Sequence, residues 1–286
     1  MQLSGRREST NVDDRRRSGG AGKATLGIGG IGGVIVVIIV MLMGGDPSEV
    51  MQSTGFGQMQ TTEAYEPTQQ EEQLAKFAKQ IFAGTEDVWT DIFSQMGRTY
   101  VPPKLVLFHG SVQSGCGGAS SSSGPFYCSA DQCVYLDLSF FSCMEDQLKA
   151  GGDFAYAYVI AHEVGHHVQY LLGTLQKADE QMSRLSETES NKVSVRLELQ
   201  ADFYAGIWAY HDNKKFNSLE DGDVEEGLNA ASKIGDDYLQ KRSKGYTVPE
   251  SFNHGTSAQR SRWLKKGLTT GNINNGDTFG VDYSDL

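Results

Sequence analysis

The sequence predicts an α+β chain, mainly helical with a small β-sheet, behind one N-terminal transmembrane helix. Three observations carry this. Apolar residues recur near helical spacing in several separate stretches. Two short runs, KLVLF at 104–108 and CVYLDLSFF at 133–141, are rich in branched and aromatic residues, as strands are. An uncharged run, LGIGGIGGVIVVIIVMLM, fills residues 26–43. The 286 residues can bury a sizeable core and show no internal repeat, so one domain, residues 73–286, is expected.

Taken in order, residues 1–25 hold six basic side chains against three acidic ones, in a chain whose net charge is −11. The remainder is therefore strongly acidic, which excludes nucleic acid as the main partner, because phosphate binding needs a basic surface. At the helical rise, residues 26–43 span roughly 27 Å, close to the hydrocarbon thickness of a bilayer. The basic arm before them predicts a cytoplasmic N-terminus and an extracytoplasmic domain, the chain crossing the membrane once. Only GGDPSEV follows the apolar run, with no small-residue cleavage site, so it reads as an anchor rather than a signal peptide.

Residues 44–72, rich in Gly, Gln, Thr, Ser and Glu, read as a flexible linker. Leu74, Phe77, Ile81, Val88, Ile92 and Met96 predict one or two amphipathic helices over 73–97. A strand at 104–108, a Gly/Ser-rich loop at 110–131 and a strand at 133–141 follow. Helices are expected at 153–172, 191–211 and 223–241, with a polar excursion at 174–190. A last helix, 256–267, has Thr256 or Ser257 as its N-cap, and an irregular tail ends the chain.

The cysteines, Cys116, Cys128, Cys133 and Cys143, all fall between 116 and 143. An even number in a loop-rich segment beyond a membrane span points to two disulfides in an oxidising compartment. A structural zinc site is the competing reading, but the spacings lack its paired knuckles. Spacing does not fix the pairing; sequential pairing would join Cys116 to Cys128 and Cys133 to Cys143.

The chemistry concentrates at AYVIAHEVGHHVQY, residues 157–170. Half of the chain's six histidines lie there. His162-Glu163-Val164-Gly165-His166 is an H-E-x-x-H sequence, which puts His162 and His166 one helical turn apart on one face, each with a nitrogen for a common metal. Glu163 sits where its carboxylate can reach a metal-activated water without ligating the metal. Zinc with three protein ligands and an open position brings such a water's pKa to about 7, which suits attack on a peptide carbonyl. The metzincin pattern is excluded, since its glycine position holds Gln169 and its last histidine position Leu172. The next helix offers Glu198 and Asp202, four apart and so on one face. Glu198 is assigned as the third ligand, and Asp202 as the carboxylate that takes the remaining ring N–H of a ligating histidine. His167 lies about 100° round the helix and cannot join the other two on the metal. His109 and His211 have no constellation around them and read as structural.

AYVIAHEVGHHVQ, ELQADFYAGIWA, HGTSAQR and GPFYCSADQCVYLDLSFF together resemble the YpfJ-like neutral zinc metallopeptidase family of bacterial membrane-anchored proteins, over most of residues 70–267. The resemblance implies a zincin-like fold of the gluzincin type. The E-x-x-A-D spacing and the later block are also similar to membrane peptidases related to the CAAX protease and to a heat-shock protease. In those relatives a histidine and, six residues later, an arginine follow the third ligand. Here His254 and Arg260 match, with Gly255 where the relatives usually carry proline. The resemblance implies that His254 donates to the oxyanion and that Arg260 holds substrate or the geometry of the site. It also suggests that the strand at 133–139 is the edge that pairs with substrate backbone.

The resulting expectation is a membrane-anchored endopeptidase with one Zn²⁺ ion, acting on polypeptides with Glu163 as general base. The alternative from another class is a non-catalytic, zinc-stabilised envelope scaffold or binding protein. Zinc-dependent hydrolysis of something other than peptides shares the same site chemistry.

Overall fold

The computed structural model describes residues 1–17 and 65–286. The apolar run 26–43 and residues 44–64 of the expected linker lie outside the described residues. Among the described residues, no helix is long and apolar enough to cross a membrane.

The chain begins with a short strand, β1 (Val12–Asp14), and resumes with a long helix, α1 (Gln69–Gln95). Thr68 and Glu71 form a reciprocal capping box that starts α1, so the helix begins inside what reads as linker. Its face of Ala75, Ala78, Ile81, Phe82, Trp89 and Phe93 enters the core. Strands β2 (Lys104–Phe108), β3 (Ser111–Ser114), β4 (Gly117–Ser120), β5 (Phe126–Cys128) and β6 (Cys133–Asp137) follow. One sheet has the order β1-β2-β6-β5. β1, β2 and β6 run parallel and β5 is antiparallel to β6; β3 and β4 make a separate hairpin. The Gly/Ser-rich loop read at 110–131 thus contains three short strands, which its small residues conceal. The run at 133–141 is a strand only to Asp137, because Asp137 accepts from the Ser139 backbone N–H and turns the chain into helix α2 (Ser139–Cys143).

Helix α3 (Asp153–Leu172) is buried on nearly every side, from Phe154 to Gln169, so its polar residues lie in the core of the molecule. Gly173, in the left-handed conformation at φ 81°, ends it. Residues 174–190 are not an excursion. Helix α4 (Thr174–Met182) buries Leu175 and Ala178, and α5 (Glu187–Phe216) then runs back along α3. α3 and α5 approach closely at Gly165, where a Cβ would come within 3.0 Å of the Ala201 carbonyl oxygen. The stretch 223–241 is two helices, α6 (Asp223–Lys233) and α7 (Asp236–Lys244). They part at Gly235, whose Cα lies against the Ser257 backbone, where a Cβ would come within 2.3 Å of its nitrogen. Helix α8 (Ser257–Thr270) opens on a Thr256–Gln259 capping box and packs extensively on α5, with Gly206 and Gly267 facing each other.

Residues Met1–Arg17, which the sequence sets apart as a cytoplasmic arm, are built into the domain: β1 pairs with β2 and the arm lies along α1 and α5. The cysteines follow the expectation only in part. Cys116 and Cys128 form a disulfide, whereas Cys133 and Cys143 are free thiols. The length of β6 and the turn into α2 hold those two apart.

Two measurements test this architecture. Alkylation of the unfolded, unreduced protein should add two labels, at Cys133 and Cys143, read by peptide mass spectrometry. Gly206→Ala places a methyl against the Leu264 carbonyl and should destabilise the fold by about 1–3 kcal/mol in urea unfolding.

Candidate metal centre

His162 and His166 present their Nε2 atoms from successive turns of α3, and Glu198 reaches them from α5. Glu198 Oε2 lies 3.2 Å from His162 Nε2 and Oε1 lies 3.4 Å from His166 Nε2. One ligand atom from each residue lies within 4.8 Å of the others, and all three residues are buried. No other such trio of His, Cys, Asp or Glu occurs among the described residues.

What fixes this convergence is the bonding of the opposite ring nitrogens. His162 Nδ1 faces Asp202 Oδ1 at 2.8 Å, and His166 Nδ1 faces Gln169 Oε1 at 2.9 Å. Both partners accept, so each Nδ1 carries a proton and each Nε2 is turned to the common centre. Gln169 is held in turn by donating to the Leu197 carbonyl at 2.7 Å and to Gln200 Oε1 at 3.1 Å, both on α5. The Gln169 that excludes the metzincin pattern is therefore the residue that orients His166.

Asp202 is fully buried and anchors a larger network. Arg260 from α8 donates to both its oxygens at 2.9 Å, and the Tyr158 hydroxyl donates to Oδ1 at 2.6 Å. Arg260 is 2% exposed, and its guanidinium is turned onto Asp202. Burial alone would raise the Asp202 pKa, but Arg260 and His162 outweigh it and hold the carboxyl below its ordinary range. Burial disfavours the His162 imidazolium, yet Asp202 and Glu198 raise its pKa to about 10 before a metal binds. Glu198 is held well below its usual value against burial by His166 and His162. Metal loading must therefore displace a proton from His162, and so it weakens as the pH falls.

Glu163 and His254 complete the centre. Glu163 is 2% exposed and its Oε1 has no hydrogen-bond partner. Burial raises its pKa, opposed by His162 and His166, the charges nearest it. His254, 1% exposed, has its Nδ1 against Asp236 Oδ1 at 3.0 Å, and its Nε2 is likewise buried without a partner. Asp236, at the start of α7, also accepts the backbone N–H groups of His254 and Gly255 at 2.7 and 3.0 Å. Gly255 has φ +95°, and proline in its place would lack both that conformation and the N–H. Burial opposes the charged form of His254, but Asp236 prevails and raises its pKa.

The other three histidines lie outside the trio. His167 is fully buried, with Nδ1 at 2.9 Å from the Tyr127 hydroxyl and Nε2 at 2.8 Å from the Val101 carbonyl. Burial lowers its pKa to about 4, so it is neutral and ties α3 to β5. His109 stacks on Tyr65, and His211 bonds the Gly271 carbonyl. Tyr158, Gln169 and Asp236 carry no motif. Only their partners in space reveal them.

Residues 1–279 match the family described as Putative neutral zinc metallopeptidase. The chain belongs to this family. It is 48% identical to Uncharacterized protein YpfJ of Escherichia coli (strain K12), over 98% of this chain and 99% of that one. It is 43% identical to Uncharacterized protein Rv2575 of Mycobacterium tuberculosis (strain ATCC 25618 / H37Rv), over 63% of each chain. No solved structure matches. The donors of this family member suit the metal the family's description names. Two imidazoles and a carboxylate make the His₂Glu set of catalytic zinc, and Glu163, next to His162 in the chain, has a buried, partnerless Oε1.

Gln169→Met keeps the side-chain volume but removes the acceptor for His166 Nδ1–H. Zinc affinity, measured by chelator competition, should fall roughly 10–100-fold. Unchanged affinity would show that Gln169 does not orient the ligand.

Proposed function

We propose that this protein is a zinc-dependent endopeptidase, held at a membrane through residues 26–43, with one zinc ion on His162, His166 and Glu198. The arrangement is read as gluzincin-type within a zincin-like fold. The observation that carries the reading is a pair of buried, unpaired polar atoms beside the ligand set: the acceptor Glu163 Oε1 and the donor His254 Nε2. Each such atom costs free energy unless something satisfies it. A water and a carbonyl oxygen would satisfy both at once, whereas a scaffold that only holds zinc needs neither.

Zinc on these ligands supplies a Lewis acid that polarises a carbonyl and acidifies water. Glu163 accepts the water's proton on Oε1 and later returns it to the leaving amine, a role suited to a carboxyl whose pKa burial has raised. His254 Nε2–H donates to the carbonyl oxygen as negative charge develops there, with Asp236 fixing the ring. Asp202 and Arg260 keep His162 in its tautomer.

The sequence assigns the substrate-pairing edge to 133–139, but β6 lies between β2 and β5 and both its edges are paired. Among the described residues β1 and β5 are the edge strands, and β5 is the one against which α3 packs. An extended peptide adding to Phe126–Cys128 is the binding mode that fits.

The test uses the full chain in detergent with casein, comparing wild type and Glu163→Gln. Both should hold one zinc per chain, and the variant should lose cleavage by about 10²–10⁴-fold. Equal zinc with no cleavage by either protein would favour the scaffold reading. Loss of zinc from the variant would make Glu163 a ligand and break the assignment.

A further inference from the structure

The N-terminal arm occupies a site made for it. β1 pairs in register with β2, Val12 opposite Leu105 and Asp14 opposite Leu107, and Arg15 N–H donates to the Leu107 carbonyl at 2.8 Å. Arg6 makes a two-point ion pair with Asp212 of α5, at 2.7 and 3.2 Å, and covers the Phe216 ring. On α1, Glu86 accepts from Ser9 Oγ at 2.6 Å, Asn11 Nδ2 at 3.0 Å and Arg7 at 2.9 Å. Gln80 donates to the Leu3 and Arg6 carbonyls. Asp212 is 1% and Glu86 7% exposed with the arm in place. Without the arm both would lose the partners that offset their burial.

These contacts bear on the membrane. Four of the five arginines that the sequence reads as charges retaining the N-terminus in the cytoplasm pair with carboxylates outside the arm, while Arg15 pairs with Asp13 of the arm itself. Arg6 is on Asp212, Arg7 on Glu86 and Asp87, Arg16 on Asp14 and Glu72, and Arg17 on Glu66 and Glu72. Between the arm and α1 the sequence offers one long apolar run, residues 26–43. A helical crossing needs about 20 apolar residues, so this run supports one crossing and not two. One crossing would put β1 and β2 on opposite sides of the bilayer, and paired strands cannot be so placed. The family match also begins at residue 1, so the arm belongs to the same unit as the metal centre.

We infer that residues 1–17 and the domain lie on the same side of the membrane, an inference that rests on the membrane attachment proposed above. The Cys116–Cys128 disulfide puts the shared side in an oxidising compartment. The inference does not rest on peptidase activity.

Thr10 and Lys244 are exposed on the arm and on the domain. Thr10→Cys and Lys244→Cys full-length chains, expressed in cells, are treated with a membrane-impermeant maleimide before and after permeabilisation. The parent chain gives the background from Cys133 and Cys143. Equal labelling of both positions in intact cells is the expected result. Labelling of both only after permeabilisation would keep the shared side and overturn the oxidising assignment. Labelling of Lys244→Cys in intact cells with Thr10→Cys protected would overturn the inference. A second measurement tests docking itself: Arg6→Ala in the purified full chain should lower the melting temperature by about 5 °C or more. An unchanged melting temperature would mean the arm is not docked, and the inference would fall.

Discussion

The structure depends on one buried carboxylate. Asp202 on α5 receives Arg260 from α8 and both Tyr158 and His162 from α3, with no exposure to solvent. These are the three helices whose packing makes up much of the core. A charge so placed is tolerated only while its partners remain, and removing one leaves the others uncompensated at a cost of about 3–5 kcal/mol. The ion pair therefore locks the helices in one register, and the proton it draws to His162 Nδ1 fixes which nitrogen is left for a metal. Stability and site geometry share this group.

The candidate metal ligands were legible because helix geometry converts spacing directly into position. Four residues bring His162 over His166, and four bring Glu198 beside Asp202, whatever surrounds them. The bounds of α3 were legible for a related reason: a glycine stands on either side of a run with apolar residues throughout. What spacing cannot supply is the partner from another element. Gln169 counts as a departure from a motif until His166 Nδ1 is seen against it, and Asp236 is one acidic residue among many until it meets His254. Arg260 carried two readings in the sequence, and its contact with Asp202 is visible only in space.

Other differences have the same origin. Residues 174–190 are polar overall, yet the two apolar residues that dock α4, Leu175 and Ala178, suffice to order the segment against its neighbours. The break at Gly235 arises because α8 crosses there, a contact no local pattern encodes. The sequence read the basic arm as free charge because its carboxylate partners, Asp212 and Glu86, lie far along the chain. Ion pairs of long sequence separation leave no periodicity to find.

The centre combines rigid placement with two unsatisfied atoms, and the two features require each other. Glu163 Oε1 and His254 Nε2 are buried and have no hydrogen-bond partner among the described residues. Glu163 is fixed on a helix buried on all sides, and three donors to Asp236 fix the turn that carries His254. A softer frame would let either side chain rotate to find a partner in its own protein, and the centre would close on itself. The Gly255 turn belongs to that frame, since its positive φ and its free N–H are what allow the peptide to face Asp236. Much of the buried polar network therefore surrounds two atoms, Glu163 Oε1 and His254 Nε2, that it leaves unpaired, and the proposed peptidase reading rests on those two atoms.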